Sequence, residues 1–135
     1  MILVDTSVII DSFKGLKNDK VELFRKILIY KIDYGISAYT YQEILQGARD
    51  EHEFNRLKKY LTFTRVYLLP ETIETYEKSA RMFFDLRRQG ISPRNILDIR
   101  IALTAIENGL RLLHNDKDFD MMSSKISELI ILTDL

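Results

Sequence analysis

The sequence predicts an α/β fold: a central parallel sheet of about four to five strands with helices on both faces. Two observations carry the prediction. Short apolar runs, too brief for helices, alternate with longer stretches whose apolar residues recur every three or four positions. Strands that alternate with helices pair in parallel through helical crossovers, which cover both faces of the sheet. A third observation sets the scale. The chain has 135 residues with 5 glycines and 2 prolines, and no linker, repeat or low-complexity segment interrupts it. One domain over residues 1–135 is expected.

Taken in order, Ile2-Leu3-Val4 reads as a buried strand. Residues 7–14 read as a short helix. Residues 19–32 read as a longer one, with Val21, Phe24, Ile27 and Leu28 on one face. Tyr34 to Ala38 is the second strand. Thr40 is placed to cap a helix beginning Tyr41-Gln42-Glu43. Residues 51–63 form a helix with Phe54, Leu57 and Leu61 on one side. Val66 to Leu69 is a strand stopped by Pro70, and residues 71–88 a long helix whose inner face is read as Ile73, Tyr76, Ala80 and Phe83. Gly90 ends it as a glycine just past the helix. Residues 96–108 are helical, with Leu97, Ile101 and Ala105 aligned, and Gly109 ends that helix. Leu110 to Leu113 is a strand, a short helix is placed at 117–122, and Leu129 to Leu132 is the last strand.

Composition excludes whole classes of chemistry. There is no cysteine, hence no disulfide scaffold, thiol nucleophile or thiolate metal site. With 2 histidines, histidine-rich metal sites are excluded too. Lysine plus arginine equals aspartate plus glutamate at 20 each, so nucleic acid could be held only by a local basic patch. The amino terminus lacks a basic leader and carries Asp5, and no apolar run nears the roughly 18–20 residues that span a bilayer. A cytoplasmic location without membrane attachment is expected.

In a parallel α/β sheet the site lies outside the carboxyl ends of the strands. Asp5 follows the first strand, Glu43 opens the helix after the second, and Asp116 follows the strand ending near His114. Asp98, in the first turn of the helix at 96–108, joins them if the loop at 90–95 returns its helix to that edge. Each acid has a local reading as well. Asp5 fits an Asx turn, Thr40 to Glu43 a capping box, Asp98 a first-turn acid, and Asp116 a helix cap. Together, carboxylates converging on one edge repel one another unless a cation neutralises them. A hard divalent ion suits oxygen-only ligands. It supports phosphodiester hydrolysis without histidine or thiol.

Four segments in order resemble the PIN-domain family, in particular VapC-type toxin ribonucleases. They are Asp5-Thr6-Ser7 after the first strand, Thr40-x-x-Glu43-Ile44-x-x-Gly47, Asp98-x-x-Ile101-Ala102-x-x-Ala105, and Asn115-Asp116-x-Asp118-Phe119. The resemblance runs nearly end to end and implies a PIN-like fold. It implies that Asp5, Glu43, Asp98 and Asp116 form an acidic pocket. Asp5 and Asp98 would be the main ligands of Mg²⁺ or Mn²⁺, and Asp116 would complete the metal site. Glu43 would orient or deprotonate water, and Thr6 would support Asp5 or touch the scissile phosphate. The implied reaction is endonucleolytic hydrolysis of RNA, with tRNA one candidate substrate. The sequence departs from the family pattern at His114, where Thr or Ser is commoner, and at Arg100, where a small or apolar residue is commoner. Asp118 and Asp120 add acids beside the fourth motif, read as solvated or capping with one a candidate auxiliary ligand. His114 is read as a strand-end imidazole packed against the sheet.

Arg87, Arg88, Arg94 and Arg100 cluster near the third acid and are the candidate phosphate contacts. Tyr39 and Tyr41 flank the second motif and could stack a base. The resemblance further implies a small antitoxin partner and a homodimer, with Phe13, Phe24, Phe54 and Leu57 as candidates for the antitoxin groove. Three other functions compete. One is a PIN-like RNA-processing or DNA-acting nuclease without an antitoxin. A second is a phospho-accepting receiver domain. It is disfavoured because Asp5 is followed by Thr6-Ser7 and the strand to Leu69 runs into Pro70-Glu71. The third, an inactive binding module, has nothing in its favour, since all four acids are present.

Overall fold

The computed structural model describes residues 1–135. The chain runs β1 (Ile2–Val4), α1 (Thr6–Phe13), α2 (Asp19–Ile29), β2 (Tyr34–Ser37), α3 (Ala38–Gln46) and α4 (Glu51–Leu61). It continues through β3 (Arg65–Tyr67), α5 (Ile73–Arg88), α6 (Ile96–Glu107), β4 (Arg111–Leu113) and α7 (Lys117–Ser123). The four strands form one sheet in the order β3-β2-β1-β4, and every pairing is parallel. All four carboxyl ends therefore lie on one edge. The chain steps outward from β1 through β2 to β3, then returns to the other side of β1 for β4. The switch point of the sheet lies between β1 and β4, where a parallel α/β sheet opens a crevice.

Side-chain alternation along these strands divides the interior into two cores. Ile2, Val4, Ile36 and Leu113 point to one face and pack with Val8, Ile9, Phe24, Ile27, Ile44 and Leu61 of α1 to α4. Leu3, Tyr67 and Leu112 point to the other and pack with Leu86, Ile99, Ala102, Phe119 and Met122 of α5 to α7. Helices cover both faces, as the sequence predicts. Phe24 is 1% exposed and stacks edge-on against Tyr34, a burial worth about 1.5–3 kcal/mol. It belongs to the core and is not available to line a surface groove.

Several boundaries differ from the sequence expectation. The residue capping α3 is Ser37, whose hydroxyl accepts from the Thr40 amide. Thr40 lies inside the helix, buried, and Glu43 does not close a capping box on it. The inner face of α5 is Thr75, Ser79 and Leu86, with Met82 and Phe83 partly buried, whereas Ile73 is 74% exposed and Tyr76 49%. Of the predicted face only Phe83 turns inward, because the first half of this helix packs through the small polar residues Thr75 and Ser79. The segment around Leu129 to Leu132 is reduced to one parallel bridge, Leu112 to Ile131. Leu129 and Leu132 are buried in opposite cores, so the segment clamps the edge of a three-residue strand.

Gly35 is required by packing. A Cβ there would lie 2.5 Å from Tyr67 Cε2 and 2.8 Å from the Arg65 carbonyl oxygen. The tyrosine ring closes directly over the glycine on the neighbouring strand. Gly35→Ala is expected to destabilise the protein by about 1–3 kcal/mol. Thermal unfolding monitored by circular dichroism would register this as a fall in Tm of roughly 3–10 °C. An unchanged Tm would mean that β2 and β3 are not packed as described.

Candidate functional site

A cleft of about 400 Å³ opens at the carboxyl edge of the sheet, at the switch point. Asp5, Glu43, Asp98 and Asp116 all line it, joined by Asp11 and Asp118. Six carboxylates thus share one cleft. Arg94 is the lone lysine or arginine among the lining residues.

Each acid arrives by a separate local device. Asp5 ends β1, its amide still donating to the Leu113 carbonyl at 2.9 Å. Asp5 is the N-cap of α1: the Ser7 amide (3.0 Å) and the Ser7 hydroxyl (2.6 Å) both donate to Oδ2. The Ser7 hydroxyl oxygen in turn accepts from the Asn115 amide at 2.9 Å, tying β1 to the turn after β4. Asn115 Nδ2 donates to Asp11 at 2.9 Å. Glu43 reaches the cleft from α3, where its Oε1 accepts from the Thr6 hydroxyl at 2.9 Å. Thr6 Oγ1 also lies 3.0 Å from the Thr40 hydroxyl. Asp98 stands in the first turn of α6, which Asn95 caps by accepting from the Leu97 amide. The loop at 90–95 does return α6 to this edge. Gly90, at φ 81, makes the left-handed turn that begins the return. Asp116 caps α7 by accepting from the Asp118 amide.

Crowding shows in the protonation equilibria. Burial pushes the Asp5 carboxyl above its ordinary range, opposed by the Ser7 hydrogen bonds and reinforced by Glu43. Asp98 is pushed up to about 7, first by burial and then by repulsion from Asp5, Asp116, Asp118 and Glu43. Asp98, Asp116 and Asp118 each place a carboxylate oxygen within 4.8 Å of the others. Three oxygen donors this close, one of them pushed up by burial and by its acidic neighbours, match the requirement of a hard divalent cation.

Asp5 lines the same cleft without belonging to that three-oxygen set, whereas Asp118 belongs to it. The signal for Asp118 was its place two residues after Asp116, the extended cap of α7 whose carboxylate accepts from the Asp118 amide. Arg94 touches both: Nη2 lies 3.3 Å from Asp116 Oδ1 and Nε 3.2 Å from Asp118 Oδ2. The other three predicted arginines are elsewhere. Arg100 is 8% exposed. It donates to the Tyr39 hydroxyl at 2.9 Å and lies over the Tyr76 ring at 4.7 Å, bracing α6 against α3 and α5. Arg87 and Arg88 lie over Phe83 and Phe84 on α5. Arg88 borders a separate, larger groove of about 790 Å³ that contains none of the four predicted acids.

His114 is buried against Phe119. Its Nδ1 accepts from the Asp116 amide at 3.0 Å, which places the proton of the neutral ring on Nε2. Nε2 lies 3.2 Å from Asp120 Oδ1 but is too poorly aligned to count as a hydrogen bond. Burial holds its pKa below the ordinary histidine value. The residue supports the turn that presents Asp116.

A family model described as PIN domain matches residues 2–125. The chain is 29% identical over 124 residues to VapC ribonuclease Mb1587 of Mycobacterium bovis, covering 91% of this chain and 92% of that one. Ribonuclease VapC11 of Mycobacterium tuberculosis matches with the same identity and coverage. Among solved structures, FitAcB from Neisseria gonorrhoeae aligns with a TM-score of 0.72 at 22% identity, over 98% of this chain and 97% of that one. VapBC2 from Rickettsia felis, bound to a DNA fragment from its promoter, aligns at 0.71 and 20% identity over 98% of both chains.

The raised Asp98 pKa has a consequence for stability. Between about pH 4 and pH 7 the folded protein keeps a proton that the unfolded chain has released, so stability falls as pH rises through that window. In EDTA, the Tm of the wild type is expected to decline from pH 4.5 to pH 7.5. Asp98→Asn should flatten that decline and raise the Tm at pH 7.5 by several degrees. Superimposable curves for the two proteins would show that Asp98 does not carry the strain.

Proposed function

Because the chain belongs to the PIN domain family, we propose that it is a metal-dependent endoribonuclease, the toxin of a VapBC-type toxin–antitoxin pair. The observation that carries this reading is the cleft itself. Six carboxylates line it, and Asp98 is pushed up to about 7 by burial and by repulsion from the acids around it. The oxygen-only donor set fits Mg²⁺ or Mn²⁺. Asp98 and Asp116 would hold the ion, with Asp118 or Asp5 completing the set. When bound, such an ion supplies Lewis-acid charge to a phosphodiester and lowers the pKa of water.

The remaining chemistry falls to the chain's own residues. Glu43, held by the Thr6 hydroxyl, is fixed in direction and has a second carboxylate oxygen to accept a proton from attacking water. Thr6 acts through Glu43 in this reading and not through Asp5, since its hydroxyl turns toward α3. Arg94 is the one lining cation that could meet a phosphate. Arg100, buried between Tyr39 and Tyr76, braces the fold. A DNA substrate in place of RNA would use the same pocket.

The partner reading has separate support. Solved relatives include VapBC complexes from Rickettsia felis and nontypeable Haemophilus influenzae. Here Phe13, Phe54 and Tyr60 are exposed on α1 and α4, with Phe13 and Tyr60 in edge-on contact at 5.4 Å. These residues, with partly buried Leu57, are the candidates for an antitoxin contact. A second exposed apolar set, Ile73, Tyr76 and Phe84 on α5, is a candidate homodimer face.

Cleavage of end-labelled total tRNA and of a single-stranded RNA would test the activity, with Mg²⁺, with Mn²⁺ and with EDTA. Cutting is expected only with metal, and Asp98→Asn is expected to reduce it roughly a hundredfold or more, the scale of losing several kcal/mol of charge stabilisation. Equal cutting in EDTA, or by the variant, would refute the metal mechanism. Cleavage of DNA alone would replace the substrate and keep the site. Arg100→Met is expected to lower the Tm while leaving the metal concentration for half-maximal cutting unchanged. A shift in that concentration would place Arg100 in the site after all.

A further inference from the structure

Arg94 occupies an unusual position for a residue in a phosphate-handling cleft: it is already engaged by the acids. Its guanidinium bridges Asp116 and Asp118 at 3.3 and 3.2 Å, and its own amide donates to the same Asp118 oxygen at 3.1 Å. Those two carboxylates, with Asp98, are the three whose oxygens lie within 4.8 Å of one another. No other lysine or arginine lines the cleft. The loop carrying Arg94 is anchored on both sides, by buried Ile91 and Pro93 before it and by the Asn95 cap of α6 after it. The side chain itself is 77% exposed, and exposed ion pairs of this kind are weak. The backbone is thus held at the rim while the guanidinium is free to leave.

We infer that Arg94 is a resident counter-ion of the carboxylate cluster, which a divalent cation must displace in order to bind. The inference rests on the metal reading above and adds a competition to it. Guanidinium and metal claim the same two carboxylates, Asp116 and Asp118, so each weakens the other by the same factor. Arginine suits this role because its planar fork spans two carboxylates, where a lysine would meet one as a point charge. Once displaced, the guanidinium stays tethered to the cleft wall.

Calorimetric titration with Mn²⁺ at pH 7.5 would compare the wild type with Arg94→Gln, Arg94→Lys and Asp98→Asn. Circular dichroism would verify that each is folded. Arg94→Gln is expected to bind Mn²⁺ roughly three- to tenfold more tightly, the range set by two weak exposed pairs. Arg94→Lys is expected to fall between it and the wild type, and Asp98→Asn to bind far more weakly. In a parallel Mg²⁺ titration followed by NMR, the Arg94 Nε–H signal, assigned by its loss in Arg94→Lys, should shift in step with binding. Four outcomes overturn the proposal. Mn²⁺ binding by Arg94→Gln that is no tighter than wild type removes the competition. Affinity of Arg94→Lys equal to wild type reduces Arg94 to a bystander charge. An Nε–H signal unmoved at saturating Mg²⁺ means the guanidinium never leaves. These three leave the metal reading intact. Absence of any Asp98-dependent Mn²⁺ binding defeats that reading and the displacement together.

Discussion

Asp5 is 5% exposed at the end of β1, and much of the surrounding architecture follows from keeping a carboxylate there. A carboxylate this buried is costly unless hydrogen bonds or opposite charge receive it. Ser7 supplies the hydrogen bonds, through both its amide and its hydroxyl, and in doing so starts α1. The same hydroxyl receives the Asn115 amide, so the turn after β4 is registered against the turn after β1. One buried acid therefore couples the amino-terminal strand, the first helix and the presentation of Asp116.

Repulsion grows as the other acids arrive. Asp98 is pushed up to about 7 by burial and by the carboxylates around it. The fold tolerates this cluster because the parallel sheet and its two cores are otherwise continuous. Ile2, Leu3 and Val4 are at most 1% exposed, and α6 is buried from Ile99 through Ala105. A rigid apolar frame holds the carboxylates at distances that their charges oppose.

Polar residues away from the cleft serve the frame. Arg100 joins α6 to Tyr39 and Tyr76. His114, with its ring against Phe119, uses Nδ1 to hold the Asp116 amide. Both sit at positions where the sequence departs from the family pattern, and in both cases the side chain turns into the protein. Neither side chain lines the cleft.

Much was legible in the sequence. The alternation of apolar runs with three-and-four spacing determined the α/β class, and parallel pairing followed from helical crossovers. The four acids were visible because each follows a strand or opens a helix. The local readings of Asp5 and Asp116 also hold: each carboxylate accepts from the amide two residues on, a purely local bond that sequence encodes directly. What tertiary structure alone decided involves residues distant in sequence. Glu43 bonds to Thr6 across 37 positions instead of closing a local capping box. Arg94 folds onto Asp116 and Asp118 more than 20 positions away. The inner face of α5 runs through Thr75 and Ser79, and Arg100 is buried beside aromatic rings. In each case local pattern and long-range contact competed for the same side chain. The outcome was set by which neighbours the fold brought within hydrogen-bonding or packing distance, a quantity that periodicity and spacing do not contain.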